Sequence, residues 1–134
     1  MIFGIGTDIV QVARIEETFK RFGERFVERL LMPEERVLYE RTQQPVRFLA
    51  MRFAAKEAAV KAMGTGFRHG MWIRDVGVLN NDWGRPYLIF SERGESTCRR
   101  LGVGEGHVSL TDDGGFVVAF AVLMQASATA PAGS

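Results

Sequence analysis

PVRFLAMRFAAKEAAVKAM, residues 45–63, followed by Gly64, decides how the rest of the chain reads. It is rich in Ala, Leu, Met, Arg, Lys and Glu, all strong helix formers, and Pro45 sits where a first helical turn has no amide to lose. Gly64 suits the left-handed residue that ends a helix. The spacing therefore predicts one long helix over 45–63, and the patterns on its two sides differ.

On the N-terminal side, residues 2–10 alternate Ile and Phe with Gly and Thr until Asp8, which reads as a strand. Ile15, Phe19, Phe22, Phe26 and Leu30 then recur at helical steps of four, three, four and four, giving helices over 12–22 and 24–31. Gly23 either ends the first of these or is carried through with a kink. Pro33 with Glu34 and Glu35 opens a short helix to about residue 41, the acids complementing its dipole.

On the C-terminal side the period changes. IRDVGVLN (73–80) and PYLIF (86–90) read as strands of a hairpin reversed by the Asn, Asp and Gly between them. Ser91 caps a helix to Leu101 with Gly102 after it, and HVSLT (107–111) with FVVAFAVLM (116–124) forms a second hairpin across DDGG. Helices grouped between an N-terminal strand and two hairpins imply an α+β fold with an antiparallel sheet, not a doubly wound βαβ alternation.

The 134 residues are 46% hydrophobic and 25% charged, with 17 Lys+Arg against 16 Asp+Glu and a formal charge of +1. That describes one globular domain, expected over residues 1–125, with ASATAPAGS (126–134) as a disordered tail. Near-neutral charge and the lack of a base-stacking aromatic pattern argue against a nucleic-acid partner, though a local basic face remains compatible. Cys98, the single cysteine, can form neither an intramolecular disulfide nor a CxxC knuckle and reads as packing in a reducing compartment. The apolar run 116–124 is far shorter than the ~20 residues a membrane span needs, and the N-terminus has no basic signal region. No membrane partner and a cytoplasmic location are expected.

Three groups of residues carry possible chemistry. Asp8 ends an apolar, glycine-containing strand, where it is either a helix-capping acid or a functional carboxylate. Glu57 and Lys61 stand four apart on one helix face, ordinarily a solvated stabilising pair, here among alanines small enough for a ligand to approach. Together, two carboxylates from separate elements and a lysine make a sensible phosphate site, since magnesium takes one or two protein carboxylates and completes its shell with water and phosphate oxygens. With Cys98, His69 and His107 as the only soft donors, zinc is the poorer guess. Arg14, Arg21 and Arg25 share a face if the helix runs through Gly23; that face is either a solvated side or a dock for an acidic helix.

GIGTDIVQVARIE (4–16), QPVRFLAMRFAAKEAAVKAMGTGFRHG (44–70) and HVSLTDDGGFVVAFAVL (107–123) together resemble the holo-acyl-carrier-protein synthase family, the small bacterial phosphopantetheinyl transferases. The resemblance spans nearly the whole chain. It implies magnesium-dependent transfer of 4′-phosphopantetheine from coenzyme A to a serine of apo-acyl carrier protein, releasing adenosine 3′,5′-bisphosphate, with fatty acid biosynthesis as the setting. It further implies that Asp8 and Glu57 bind the metal, that Lys61 meets the transferred phosphoryl and its leaving group, and that Arg14 docks the carrier. Gly64 and Gly66 fall where coenzyme A approaches the chain, and Arg52 and His107 where its nucleotide phosphates are held. The family's usual homotrimer, with active sites between subunits, is expected as well. Thr111 and Asp112 depart from the family's commoner ending. Two other readings compete: a metal-dependent phosphodiesterase, and a noncatalytic adaptor for acidic helices.

Overall fold

The computed structural model describes residues 1–127, and its order is β1 (Ile2–Gln11), α1 (Val12–Phe22), α2 (Glu24–Leu30), α3 (Pro33–Tyr39), α4 (Pro45–Met63), β2 (Val76–Asn80), β3 (Pro86–Phe90), α5 (Glu92–Leu101), β4 (Val103–Asp113) and β5 (Phe116–Gln125). β5 is the middle of a three-stranded antiparallel sheet, with β1 on one side and β4 on the other. Alternation assigns its faces: Val117, Ala119, Ala121 and Leu123 are fully buried toward α4, while Phe116 and Phe120 point the other way and stay exposed.

The sheet meets α4 through the smallest side chains available. A Cβ on Gly4 would run into the carbonyl oxygen of Ala62, and one on Gly6 into that of Ala58. The GIG of β1 is therefore required for contact: it lets a strand backbone lie directly on a helix backbone. Asp8 follows two residues later on the same strand face, paired with Ala119. The approach that needs Gly4 and Gly6 also delivers Asp8 to the flank of α4.

One expectation needs correction and one open alternative is resolved. The two hairpins do not share one sheet: β2 and β3 pair as a separate two-stranded sheet. A Cβ at Gly106 of β4 would lie 3.0 Å from Leu88 Cδ1 of β3, so the two sheets abut through side chains, beside a register irregularity between Val103 and Gly106. Gly23 breaks the first helix. Its φ of 54° and ψ of −128° lie outside the helical region, its N–H caps Phe19, and its carbonyl accepts from Phe26 to start α2. The Ala126 N–H donates to the Gly102 carbonyl at 2.8 Å; the expectation of a tail over 126–134 lies, for residues 128–134, outside the described residues.

Local caps follow the sequence. Gly64 and Gly102 end α4 and α5 in the left-handed conformation, and the Ser91 hydroxyl accepts from the Gly94 N–H at 3.0 Å while donating to Asp75. Cys98 is buried on α5 and burial pushes its thiol up, which leaves it unreactive packing. Among the described residues no helix is long and apolar enough to cross a membrane.

Candidate functional site

Asp8, Glu57 and Lys61 converge where β1 lies against α4. Lys61 Nζ donates to Asp8 Oδ1 at 3.1 Å and to the Thr7 carbonyl at 3.1 Å, so its partner is the strand acid and not Glu57 on its own helix. A Cβ on Gly6 would also sit 3.0 Å from Lys61 Cβ, which explains the reach: the lysine stem rises directly beside the strand. Asp8 and Glu57 line one groove of about 350 Å³ with Arg14, Ile15, Thr18, Phe26 and Phe53.

The electrostatics of that groove are unbalanced. Burial pushes the Glu57 carboxyl up, the negative charge of Asp8 pushes it further, and Lys61 only partly opposes them. A carboxylate whose ionisation is opposed by burial and by a neighbouring carboxylate is suited to a hard cation. Among the described residues no cluster of three or more His, Cys, Asp or Glu exists. A two-carboxylate set without nitrogen or sulfur fits magnesium, which leaves the rest of its octahedron to water and substrate oxygens. The residues present thus fit the ion that the family resemblance implies.

The three arginines separate. Arg14 lines the Asp8–Glu57 groove. Arg25 lines a second depression on α1 and α2 with Thr18, Phe22, Phe26 and Arg29, and Thr18 and Phe26 belong to both. Sharing those two residues, the depressions adjoin as one channel lined by Phe22, Phe26 and Phe53 together with Arg14, Arg25 and Arg29. Arg21 lies over the Phe22 ring, 5.2 Å from its centroid. The single stripe expected for Arg14, Arg21 and Arg25 required an unbroken helix, and Gly23 divides it.

Gly64 and Gly66, at φ of 81° and 59°, have open space where a Cβ would be, so backbone conformation requires glycine there and the surface beside them is free. His107 stands two strands away from Asp8, on the exposed face of the three-stranded sheet, in a separate groove with Asn81, Arg85, Tyr87 and Glu105. Arg52 is elsewhere again. Its guanidinium is buried, stacked 4.0 Å from the Phe48 centroid, donating to Asn80 Oδ1 at 3.2 Å and 3.9 Å from Glu35. Within one chain neither residue reaches the Asp8–Glu57 groove, and Arg52 is turned into the core, an unfavourable position for a phosphate contact. Asp112 forms a two-point ion pair with Arg47, 2.8 and 3.0 Å, which ties the start of α4 to the end of β4 and holds the Asp112 carboxyl below its usual range.

Sequence reasoning missed Thr18, Phe26, Phe53 and Arg29 in the channel, and Arg85 beside His107. It also missed a fully buried ion pair, Lys56 with Glu35. A signal for the last existed: Lys56 lies seven residues from Leu49 and Met63 and four from Val60, a charge inside an apolar helical stripe.

The model of the 4′-phosphopantetheinyl transferase superfamily matches residues 4–121. A holo-[acyl-carrier-protein] synthase of Hamiltonella defensa is 43% identical over 122 residues, covering 91% of this chain and 97% of the relative. Among solved structures, the holo-[acyl-carrier-protein] synthase of Neisseria meningitidis superposes with a TM-score of 0.90 at 38% identity, covering 93% of this chain and all of that one. The Helicobacter pylori synthase in complex with coenzyme A gives 0.78 at 32% identity, over 89% of this chain and 98% of that one.

Proposed function

The chain belongs to the 4′-phosphopantetheinyl transferase superfamily, and from that premise we propose that the channel beside β1 and α4 is where it works as a magnesium-dependent transferase. It transfers the 4′-phosphopantetheine group from coenzyme A to a serine of apo-acyl carrier protein, a step that supplies fatty acid biosynthesis. The single observation that carries the site is the meeting of Asp8, Glu57 and Lys61 from two elements, with Lys61 held 3.1 Å from Asp8.

Asp8 and Glu57 would hold the magnesium ion, which supplies charge neutralisation on the pyrophosphate when bound. Everything else falls to the chain. The serine oxygen bonds to the β-phosphorus, the bond to the oxygen bridging toward the α-phosphorus breaks, and adenosine 3′,5′-bisphosphate leaves with the electron pair. Lys61, half-exposed in an adjoining depression that shares Asp8, places a positive charge where that leaving oxygen gains its negative one. Glu57, with two oxygens, can serve the ion with one and take the serine proton with the other. The channel over Thr18, Phe26 and Phe53, rimmed by Arg14, Arg25 and Arg29, receives the carrier, whose acidic helix it complements. Gly64 and Gly66 leave the path of the pantetheine arm open.

The same reading includes a homotrimer. Ile5 and Ile9 of β1 and Phe120 of β5 are 59%, 63% and 50% exposed on the sheet face away from α4, an apolar surface suited to burial against other copies. His107 and Arg85 border that face, so a neighbour's Asp8–Glu57 groove and this pair could grip the two ends of one coenzyme A. Residues 1–125 act as one catalytic unit in the cytoplasm, where coenzyme A and the carrier meet.

The direct test is intact-mass spectrometry of apo-acyl carrier protein incubated with the chain and coenzyme A, with magnesium or with chelator. A gain of one phosphopantetheine, abolished by chelator, is expected. No gain on a carrier that another transferase can load would refute the transfer, and loss of the arm from a loaded carrier would mark a hydrolase instead.

A further inference from the structure

We propose that Lys56, through Glu35, is a positioning residue for the catalytic centre: the buried pair fixes the rotation of α4 and so keeps Glu57 facing Asp8. The two faces of α4 are unequal. At about 100° per residue, Lys56 points about 160° from Ala58, and Glu57 lies on the flank between them. The Ala58–Ala62 face rests on Gly4 and Gly6, where, apart from the Lys61 stem beside Gly6, neither partner has a side chain larger than a methyl to key into the other. Such a contact sets the distance between helix and strand but resists rolling only weakly.

The opposite face carries the lock. Lys56 Nζ reaches Glu35 Oε1 at 2.7 Å, the Ile73 carbonyl at 3.1 Å and the Leu30 carbonyl, so its three protons go to three separate segments. Glu35 in turn accepts from the Met32 N–H at 2.9 Å and the Val78 N–H at 3.0 Å. Both side chains are fully buried. Ions desolvated to this extent are a poor route to stability, and their best-attested use is to specify register. Here the register is that of the helix bearing Glu57 and Lys61, where a displacement of about 1 Å can cost ~10²-fold in rate.

The inference rests on Glu57 holding the metal, so the experiment reads metal affinity apart from turnover. The chain as it stands, Lys56→Met, Glu35→Gln/Lys56→Met and Val103→Ala are titrated with Mn²⁺ by calorimetry and assayed for carrier loading, with thermal melts alongside. The double variant removes both charges of the pair, leaves Arg52 its Asn80 hydrogen bond and the Phe48 ring, and is the form that should fold even if Lys56→Met does not. In it the Mn²⁺ dissociation constant should rise about tenfold and kcat fall about tenfold, while KM for the apo-carrier, seated on α1 and α2, stays within about twofold. Val103→Ala, a core change on β4 outside the Lys56–Glu35 pair, should lower the melting temperature without moving the Mn²⁺ constant. A folded double variant with unaltered Mn²⁺ affinity and kcat would overturn the proposal. Absence of Mn²⁺ binding in the unsubstituted chain would instead overturn the reading of Asp8 and Glu57 on which it rests.

Discussion

Lys56 and Lys61 sit five residues apart on one helix, each paired to a carboxylate, and the two pairs are opposites. Lys56 and Glu35 are fully buried at 2.7 Å, with every proton of the lysine used; Lys61 is 51% exposed, 3.1 Å from an Asp8 that is itself 15% exposed. One charge is sealed where no substrate reaches, and burial pulls its pKa down despite its partner. The other stands half-exposed in a depression that shares Asp8 with the groove of Glu57. The difference teaches that an ion pair's role follows from what else can reach it: closed pairs organise the fold, open pairs remain free to exchange partners during a reaction.

Four substitutions probe that contrast. The largest effect should come from Lys56→Met, which leaves the buried Glu35 carboxylate only the more distant Arg52 as counter-charge and should cost about 3–5 kcal/mol in urea denaturation, with Glu35→Gln added in the same chain recovering part of the loss. Lys61→Met should do the reverse. Its stability change should stay within about 1 kcal/mol, as for exposed pairs, while kcat for carrier loading falls ~10²–10³-fold. If Lys61→Met proved the more destabilising of the two, the contrast would collapse.

Gly6→Ala comes next, with a methyl driven into the Ala58 carbonyl. Overpacking of this kind costs about 1–3 kcal/mol in thermal or urea unfolding, and turnover should drop more than the folded fraction does, because Asp8 moves with its strand. The smallest effect is that of Glu57→Gln on the metal-free protein. The Glu57 carboxyl is raised in the fold, so the native state binds more protons than the unfolded one and stability is lost as pH rises above the ordinary glutamate range. The glutamine variant should therefore melt slightly higher than the parent near neutral pH, with the gap closing as pH falls toward about 4. Melts with chelator across that range would reveal it. The same substitution should abolish most transfer.

Much of this was legible in the chain. The element order, the caps at Gly64, Ser91 and Gly102, and the gathering of chemistry at Asp8, Glu57 and Lys61 all follow from local periodicity and residue type. What stayed hidden depends on contacts between distant segments. The i,i+4 spacing pointed Lys61 toward Glu57, and only the approach of β1 over Gly6 shows that it turns to Asp8 instead. Gly23 left two outcomes open because helix period is equally satisfied by a kink or a break; the break divides the arginines between two depressions. The separate β2–β3 sheet was likewise not readable, since strand pairing is a matter of register with partners far away in sequence. Arg52 illustrates the same point from the other side: within a motif of matching residues, its burial beside Glu35 emerges only when α3 and α4 pack.

The central claim is that the acids of β1 and α4 form one catalytic centre. It is tested most directly by the initial rate of carrier loading as a function of magnesium concentration for the parent chain, Asp8→Asn and Glu57→Gln. Each variant should remain folded and lose ~10²-fold or more of turnover even at saturating magnesium. Turnover within about twofold of the parent in either variant, under the same saturating conditions, would contradict it.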